Sequence, residues 1–114
     1  MTPMAITMGD AAGVGPEIVL RCAAAGELVD DVVIYGDEAI LRRGADHLGI
    51  QPDWARLAVD DAGLLTAGDF APGVLSGRAG AAARTYVERA TRDALAGRVA
   101  GVVTMPMNKE ATQL

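Results

Sequence analysis

Two short loops carry the side chains of this sequence that could do chemistry. The first lies in the segment ITMGDAAGVGPEI (residues 6–18), where Gly9, Gly13 and Gly15 are followed by Pro16 and Glu17. Such glycines let a backbone turn sharply at a strand end and approach a ligand closely. The spacing matches neither the dinucleotide fingerprint G-x-G-x-x-G nor a P-loop. On spacing alone, a binding loop and a tight turn without a ligand are equally good interpretations.

The second loop lies in VVTMPMNKE (residues 102–110), where a strand runs into a short connection. Thr104, Asn108 and Lys109 place a hydroxyl, an amide and an ammonium group close together in sequence. Lys109 could hold a phosphate or polarise an oxygen. The alternative is that Thr104 and Asn108 only cap the turn and Lys109 is a solvated surface group. For this loop taken alone, we favour that alternative.

The elements that must position these loops alternate along the chain. Apolar runs at residues 4–8, 32–35 and 99–105 indicate buried strands, and residues 56–59 indicate a further short one. Helices are predicted over residues 16–25, from an Asp37 N-cap to residue 48 with Gly49 as terminator, from a Ser76 cap to residue 96, and from residue 108 onward. Alternating strands and helices predict an α/β fold, with a mostly parallel sheet flanked by helices.

The third predicted helix carries two further expectations. Its apolar stripe should contain Ala83, Val87, Ala90 and Ala94, and its outer side should contain the i,i+4 ion pairs Glu88–Arg92 and Arg89–Asp93.

The two loops should meet, although they are far apart in sequence. If residues 4–8 and 99–105 are parallel strands of one sheet, right-handed crossovers bring both following loops to the same sheet edge. That edge is where open α/β sheets bind ligands, near a reversal of strand order. We therefore expect residues 9–15 and 104–109 to face a common crevice.

Composition excludes several classes of function. The net charge of −5 and the absence of a basic stripe give no electrostatic basis for binding nucleic acid or an anionic membrane. No apolar run approaches the roughly 18 residues of a membrane span, and no signal peptide is recognisable, so we expect a cytoplasmic protein. Cys22 is interpreted as a small core residue and His47 as a helix C-terminal residue without metal-ligating partners.

Together, the two segments resemble the 4-hydroxythreonine-4-phosphate dehydrogenase family of pyridoxine (vitamin B6) biosynthesis. Residues 6–18 resemble its opening signature, Gly-Asp-Pro-Ala-Gly-Ile/Val-Gly-Pro-Glu. The stretch GRAGAAARTYVERATRDALAGRVAGVVTMPMNKEA (residues 77–111) resembles its second signature, a helix leading into Val-Thr-x-Pro-x-Asn-Lys. Residues 44–74 are weakly informative. Ala11 stands where proline is usual, and Met105 stands where a small residue is common and could narrow the pocket.

The resemblance implies a two-domain enzyme related in fold to isocitrate and isopropylmalate dehydrogenases, working as a homodimer with its active site in the interdomain cleft. Such enzymes use NAD to oxidise a secondary alcohol of a phosphorylated hydroxy acid such as 4-phosphohydroxy-L-threonine, and decarboxylation follows. A divalent metal (Zn, Mg or Co) held by histidines assists. Family relatives act on four-carbon sugar-acid phosphates such as threonate or erythronate 4-phosphate, so the substrate stays open.

The same resemblance implies that residues 1–114 form a single incomplete α/β domain, the N-terminal portion of such an oxidoreductase. The metal-binding histidines and a Gly-His-Thr-Glu segment come after the Asn-Lys motif in the family, so we expect this chain alone to hold no metal or cofactor and to be inactive. No catalytic residue is assigned. The candidates for substrate or cofactor binding are Asp10, Gly13, Gly15, Glu17, Thr104, Asn108 and Lys109. The alternative is a self-standing α/β module that binds a small anion or a protein partner without catalysis.

Overall fold

A computed structural model of the chain describes residues 2–28 and 31–107. Within them, four strands form one parallel sheet in the order β3-β2-β1-β4. The strands are β1 (Met4–Thr7), β2 (Val32–Gly36), β3 (Ala58–Asp61) and β4 (Val102–Thr104), and the helices are α1 (Gly15–Ala24), α2 (Glu38–Leu48) and α3 (Gly77–Leu95), with a short 3₁₀ turn at Ala67–Asp69. The predicted fold class is confirmed. The helix predicted from residue 108 onward lies outside the described residues.

Two predicted strands have different bounds in the structure. The short strand expected at residues 56–59 is β3, displaced two residues toward the C-terminus. The apolar run at residues 99–105 contributes only Val102–Thr104 to the ladder, where Thr104 pairs with Thr7. Val99 is buried although it precedes the strand. The apolar run is therefore longer than the strand because it also contains a buried residue that does not pair in the sheet.

The helices cover both faces of the sheet. Tyr35 on β2 donates its hydroxyl hydrogen to Asp93 on α3 at 2.6 Å, so α3 lies on the face that carries Tyr35. Ile34 points to the opposite face, since side chains alternate along a strand, and it is also fully buried. There α1 and α2 pack against each other, with Leu20 lying over Gly44. The core is therefore divided into two apolar layers by the sheet.

Helix α3 begins as predicted but uses different side chains to pack. Ser76 accepts a hydrogen bond from the Ala79 amide at 3.2 Å, which confirms it as the N-cap. The buried residues of the helix are Ala79, Gly80, Ala82, Ala83, Tyr86 and Ala90. Val87 and Ala94, which the stripe prediction included, are only half-buried. The predicted stripe is therefore right for Ala83 and Ala90, but it omits Tyr86, the large side chain that the helix buries.

The ion pair predicted between Arg89 and Asp93 is wrong. Arg89 instead pairs with Asp60 on β3 at 2.5 Å, and Asp93 pairs with Arg98 at 3.2 Å besides accepting from Tyr35. An i,i+4 pair on an exposed helix surface is worth only about 0.2–0.5 kcal/mol, so a neighbouring strand can readily supply a better partner.

Asp37 stands at the N-cap position of α2, as predicted, but its carboxylate does not cap the helix. One oxygen accepts hydrogen bonds from the amides of Leu64 and Leu65 at 2.7 and 3.1 Å. The other accepts from the Tyr86 hydroxyl. The carboxylate thus fastens the β3–α3 connection and α3 to the end of β2. Gly49 ends the helix in the left-handed conformation with φ 68°, as its type predicts.

Candidate functional site

The two motif loops lie against each other, because β1 and β4 are adjacent parallel strands. The Met105 amide donates to the Thr7 carbonyl oxygen at 3.1 Å, and the Asp10 amide donates to the Pro106 carbonyl oxygen at 3.4 Å. Both loops therefore leave the sheet at its carboxyl edge, which confirms the expected shared edge. Pro106 and Met107 line a crevice with the first loop, while residues 108 and 109 of the predicted crevice lie outside the described residues. No strand separates the two loops among the described residues.

Gly9 makes this close approach possible. Its φ is +75°, and a Cβ atom added there would lie 2.5 Å from the Pro106 carbonyl oxygen and 3.2 Å from that of Met105. Any side chain would therefore collide with the backbone of the second loop. The glycine at this position permits the contact between the two loops, as the sequence motif indicates.

The crevice coincides with the point where the strand order reverses. From β1 the chain moves to β2 and β3 on one side, and then returns to β4 on the other side of β1. In open α/β sheets, ligands bind outside the carboxyl ends of the strands at such a switch point. The location is therefore the one that the architecture favours for a small-molecule site.

A pocket of about 420 Å³ occupies the crevice. It is lined by Asp10, Ala12, Gly13, Val14, Gly73, Val74, Leu75, Pro106 and Met107. Residues 73–75 belong to the β3–α3 connection and form a third side of the pocket. The Gly73 amide donates to the Ala12 carbonyl oxygen at 2.8 Å, which ties this connection to the first loop.

The third side of the pocket was missed by the sequence analysis. Apart from the 3₁₀ turn at Ala67–Asp69, residues 62–75 are irregular and without periodicity, so nothing in them indicates a binding role. The available signal was the Pro72-Gly73 pair, which marks a turn. Gly73 has φ +78°, and this conformation brings its amide to Ala12.

Asp10 is the polar side chain of the pocket and is only 2% exposed. Its Oδ1 accepts a hydrogen bond from the Ala12 amide at 2.8 Å, and its carbonyl oxygen accepts from the Gly13 amide at 2.9 Å. Its Oδ2 has no hydrogen-bond partner among residues 2–28 and 31–107, and it is not among the buried polar atoms that are sealed from solvent. One carboxylate oxygen is therefore available at the pocket surface.

The candidates on α1 are not brought into the same pocket. Glu17 pairs with Arg21 at 2.9 Å, is 46% exposed, and borders a separate pocket of about 80 Å³ beside His47. Gly15 is buried against the backbone of β1 and the side chain of Met105. A Cβ at this position would overlap the Met8 carbonyl oxygen and lie 3.0 Å from the Met105 Cβ. Gly15 therefore allows α1 to start close under β1 and β4. Met105 packs against this glycine and does not line the 420 Å³ pocket.

The remaining candidates belong to the second loop. Thr104 ends β4 in register with Thr7 and is exposed, without lining the pocket. Asn108 and Lys109 lie outside the described residues. Thr7 is fully buried, and its hydroxyl oxygen has no hydrogen-bond partner within the part of the chain that the structure describes. Of the candidates that the structure describes, Asp10 and Gly13 line the 420 Å³ pocket.

Tyr86 lies beneath this edge of the sheet, 1% exposed. Burial raises the pKa of its hydroxyl well above the ordinary value, and the hydrogen bond to Asp37 raises it further. The phenol is therefore a hydrogen-bond donor throughout the neutral range. Tyr35 behaves alike: burial, followed by its hydrogen bond to Asp93, raises the pKa of its hydroxyl.

No group of three or more His, Cys, Asp or Glu side chains that could hold a metal occurs within residues 2–28 and 31–107. His47 makes an edge contact with the Phe70 ring, with ring centroids 5.5 Å apart. Cys22 is half-buried on α1. None of the helices in the described ranges has the length and apolar character needed to cross a membrane.

Comparison with known proteins matches residues 28–114 to the family model "Pyridoxal phosphate biosynthetic protein PdxA". The match extends over more than half of the chain. The chain belongs to this family. The matched residues include the strand that leads into the second motif loop.

Two curated relatives illustrate the resemblance. A 4-hydroxythreonine-4-phosphate dehydrogenase of Hydrogenobaculum sp. is 37% identical over 113 residues, covering 91% of this chain and 36% of the relative. A putative D-threonate 4-phosphate dehydrogenase of Cutibacterium acnes is 37% identical over 129 residues, covering 96% of this chain and 37% of the relative. The chain therefore spans about a third of the length of the curated relatives it matches.

The fold agrees with a solved structure. A putative 4-hydroxythreonine-4-phosphate dehydrogenase from Salmonella typhimurium superimposes with a TM-score of 0.86 at 30% identity, covering 99% of this chain and 40% of that chain. The expected family and its dehydrogenase relatives are thereby confirmed.

Proposed function

We propose that this chain forms one side of the active-site cleft of an NAD-dependent, metal-dependent dehydrogenase. The enzyme oxidises a secondary alcohol of a phosphorylated hydroxy acid such as 4-phosphohydroxy-L-threonine, and decarboxylation follows. The observation that carries the proposal is the meeting of the two family motifs at the switch point between β1 and β4. Residues 1–114 then constitute the first part of a two-domain enzyme.

The pocket chemistry supports a ligand role for the first motif. Asp10 and Gly13 line a cavity whose third side is supplied by residues 73–75. Apolar surface and a few placed polar groups are the usual composition of a cofactor or substrate site. Thr104, Asn108 and Lys109 are proposed to contact substrate or cofactor from the second loop, while Gly15 and Glu17 define the start of α1.

The metal belongs to other residues of the enzyme. The described residues do not fit a divalent metal site, because His47 packs on Phe70 and no cluster of ligating side chains surrounds it. No step of the reaction is therefore assigned to a metal held by these residues. NAD supplies a hydride acceptor for alcohol oxidation, and the residues of the pocket would bind and orient the reactants.

The substrate choice lies between two family activities. Relatives of similar identity are named for 4-hydroxythreonine 4-phosphate and for D-threonate 4-phosphate. Both compounds are phosphorylated hydroxy acids, so the proposal names that class. We further propose that the enzyme is a homodimer in the cytoplasm and that it has no nucleic-acid or membrane partner.

The proposal can be tested with a chimera. Residues 1–114 would replace the matching N-terminal third of the Hydrogenobaculum relative, with which they are 37% identical. We expect NADH formation from 4-phosphohydroxy-L-threonine or from D-threonate 4-phosphate, measured at 340 nm with a divalent metal present. The purified 114-residue chain should form none.

The matched control is the same chimera carrying Gly9→Val, which should fold poorly or lose activity because the two loops can no longer meet. A folded, dimeric chimera that oxidises neither compound would contradict the proposed function. NADH production by the chain alone would contradict the assignment of the remaining machinery to other residues.

A further inference from the structure

We propose that the 420 Å³ pocket binds the base and ribose of one half of a dinucleotide, with a ribose hydroxyl donating to Asp10 Oδ2, while the phosphates stay outside it. This inference rests on the proposed NAD-dependent function and specifies which part of the cofactor meets this chain.

The pocket has the size and lining of an organic ligand site. Its volume of about 420 Å³ lies within the roughly 300–1,000 Å³ typical of small-molecule pockets. Val14 and Val74 are 56% and 57% exposed, and Leu75 and Met107 are also exposed large apolar side chains at the rim. Such a surface is suited to the apolar faces of a flat heterocyclic base.

The charge of the pocket disfavours phosphate. Its charged side chain is the carboxylate of Asp10, and no Lys, Arg or His lines it in the part of the chain that the structure describes. A phosphate placed inside the pocket would meet a like charge, with no counterion among the lining residues that the structure describes.

Three amides of the first loop are not available to compensate for this charge. The amides of Asp10, Ala12 and Gly13 donate to Pro106 O, Asp10 Oδ1 and Asp10 O respectively. These three amides therefore donate to acceptors within the protein, whereas the amides of a phosphate-binding loop point at the anion.

A ribose hydroxyl fits the one open acceptor. Asp10 is only 2% exposed, and its Oδ1 accepts a hydrogen bond from the Ala12 amide, so the carboxylate is fixed in place. Oδ2 can accept from a hydroxyl of the ligand, and an acidic residue that accepts from a ribose hydroxyl is a common device in dinucleotide sites. The chemistry shared by the two halves of NAD is a ribose that carries a flat base.

The test uses the chimera described under Proposed function, labelled with ¹⁵N, and follows the amide resonances of its residues 1–114 on titration. The probes are adenosine, nicotinamide riboside and inorganic phosphate, each added alone. We expect at least one nucleoside to shift the amides of Ala12, Gly13 and Gly73 in a saturable manner, whereas phosphate leaves these amides unchanged. The two nucleoside arms show which half of the dinucleotide is bound.

Asp10→Asn is the matched variant, because its amide oxygen can still accept from Ala12 while the second position becomes a donor. We expect nucleoside affinity to fall about tenfold, as for loss of a hydrogen bond to a charged group. Asp53→Asn is the control. Asp53 makes the same local bond, with Oδ1 accepting from the Ala55 amide at 3.2 Å, but it borders a different pocket. Its substitution should leave nucleoside binding unchanged.

Three results would overturn the inference: no shift with either nucleoside up to the solubility limit, shifts that saturate with phosphate alone, or equal affinity in Asp10→Asn and the unmodified chimera. The last two outcomes leave the proposed dehydrogenase function intact, since the chimera assay is independent of them. An inactive chimera together with saturable nucleoside shifts would instead contradict the substrate class and retain the nucleoside site.

Discussion

Asp10 and Asp37 occupy comparable places and have different uses. Each follows one of two adjacent parallel strands, each lies at the carboxyl edge of the sheet, and their exposures are 2% and 1%. Asp37 has both oxygens engaged by the amides of Leu64 and Leu65 and by Tyr86. Asp10 has one oxygen engaged, by Ala12.

The difference separates a structural carboxylate from one that is available to a ligand. Buried polar groups are normally satisfied within the protein, because an unpaired one costs free energy. Asp37 follows that rule completely, and its partners come from two other elements of the fold. Asp10 follows it through one oxygen and turns the other to a pocket. Equal burial and equal position therefore do not imply equal function.

The largest expected effect comes from Asp37→Ala. The substitution leaves two amides and the Tyr86 hydroxyl without their acceptor, and of these donors the Leu65 amide and the Tyr86 hydroxyl are buried. We expect a loss of about 3 kcal/mol in the free energy of unfolding, measured by urea denaturation followed by circular dichroism. A loss below that of Asp10→Ala would remove the contrast between the two carboxylates.

A smaller loss is expected from Gly9→Ala, which tests the contact between the two motif loops. The new methyl group would lie 2.5 Å from the Pro106 carbonyl oxygen, at a φ of +75°. We expect a loss of about 2 kcal/mol, measured in the same way.

Gly63→Ala is the control for this effect. Gly63 has a similar φ of +65° but nothing within 4 Å of the added Cβ. It should cost about 1 kcal/mol, the strain of the conformation alone. Equal losses at the two positions would mean that the loops can separate without cost.

The sequence predicted the parts of this site that follow from local rules. The alternation of apolar runs and amphipathic segments predicted the parallel α/β sheet, and the shared loop edge followed from the direction of its strands. Ser76 and Gly49 were predicted as helix ends because capping depends on a few neighbouring residues.

The rest depends on tertiary contacts that local patterns do not record. Tyr86 donates to Asp37, 49 residues away in sequence, and Arg89 donates to Asp60, 29 residues away. No periodicity in the sequence indicates such partners. The third side of the pocket is irregular chain fixed by the Gly73–Ala12 hydrogen bond. Glu17 shares the first motif with Asp10, yet helix geometry turns it toward Arg21.

Asp10→Ala should cost less than Asp37→Ala and Gly9→Ala. Only the Ala12 amide loses its side-chain acceptor, and the adjoining pocket can admit water to that amide. We expect a loss of about 1 kcal/mol, again from urea denaturation. Asp10→Asn, which can keep the bond, should stay close to the unmodified chain. A loss for Asp10→Ala as large as that for Asp37→Ala would indicate that Asp10 is structural too.

The smallest expected effect concerns alkaline pH. Burial and the bond to Asp37 raise the pKa of Tyr86 in the folded chain, while the unfolded chain keeps the ordinary value of about 10. Below that value both states are protonated and the full stabilisation is present. As pH rises through it, only the unfolded state releases its proton, so the free energy of unfolding falls.

At pH of about 10, half of the unfolded tyrosine is ionised, which corresponds to a loss of about 0.4 kcal/mol for each raised tyrosine. Tyr35, whose pKa is raised as well, contributes similarly. Urea denaturation of the unmodified chain and of Tyr86→Phe, compared at neutral pH and near the tyrosine pKa, measures this. The variant should be less stable at neutral pH, because Asp37 loses one donor, but it should lose about half as much on alkalinisation. If Tyr86→Phe and the unmodified chain showed the same pH dependence, Tyr86 would ionise equally in the folded and unfolded states. The hydrogen bonds around Asp37 would then not be shielded from water, and the contrast drawn with Asp10 would fail.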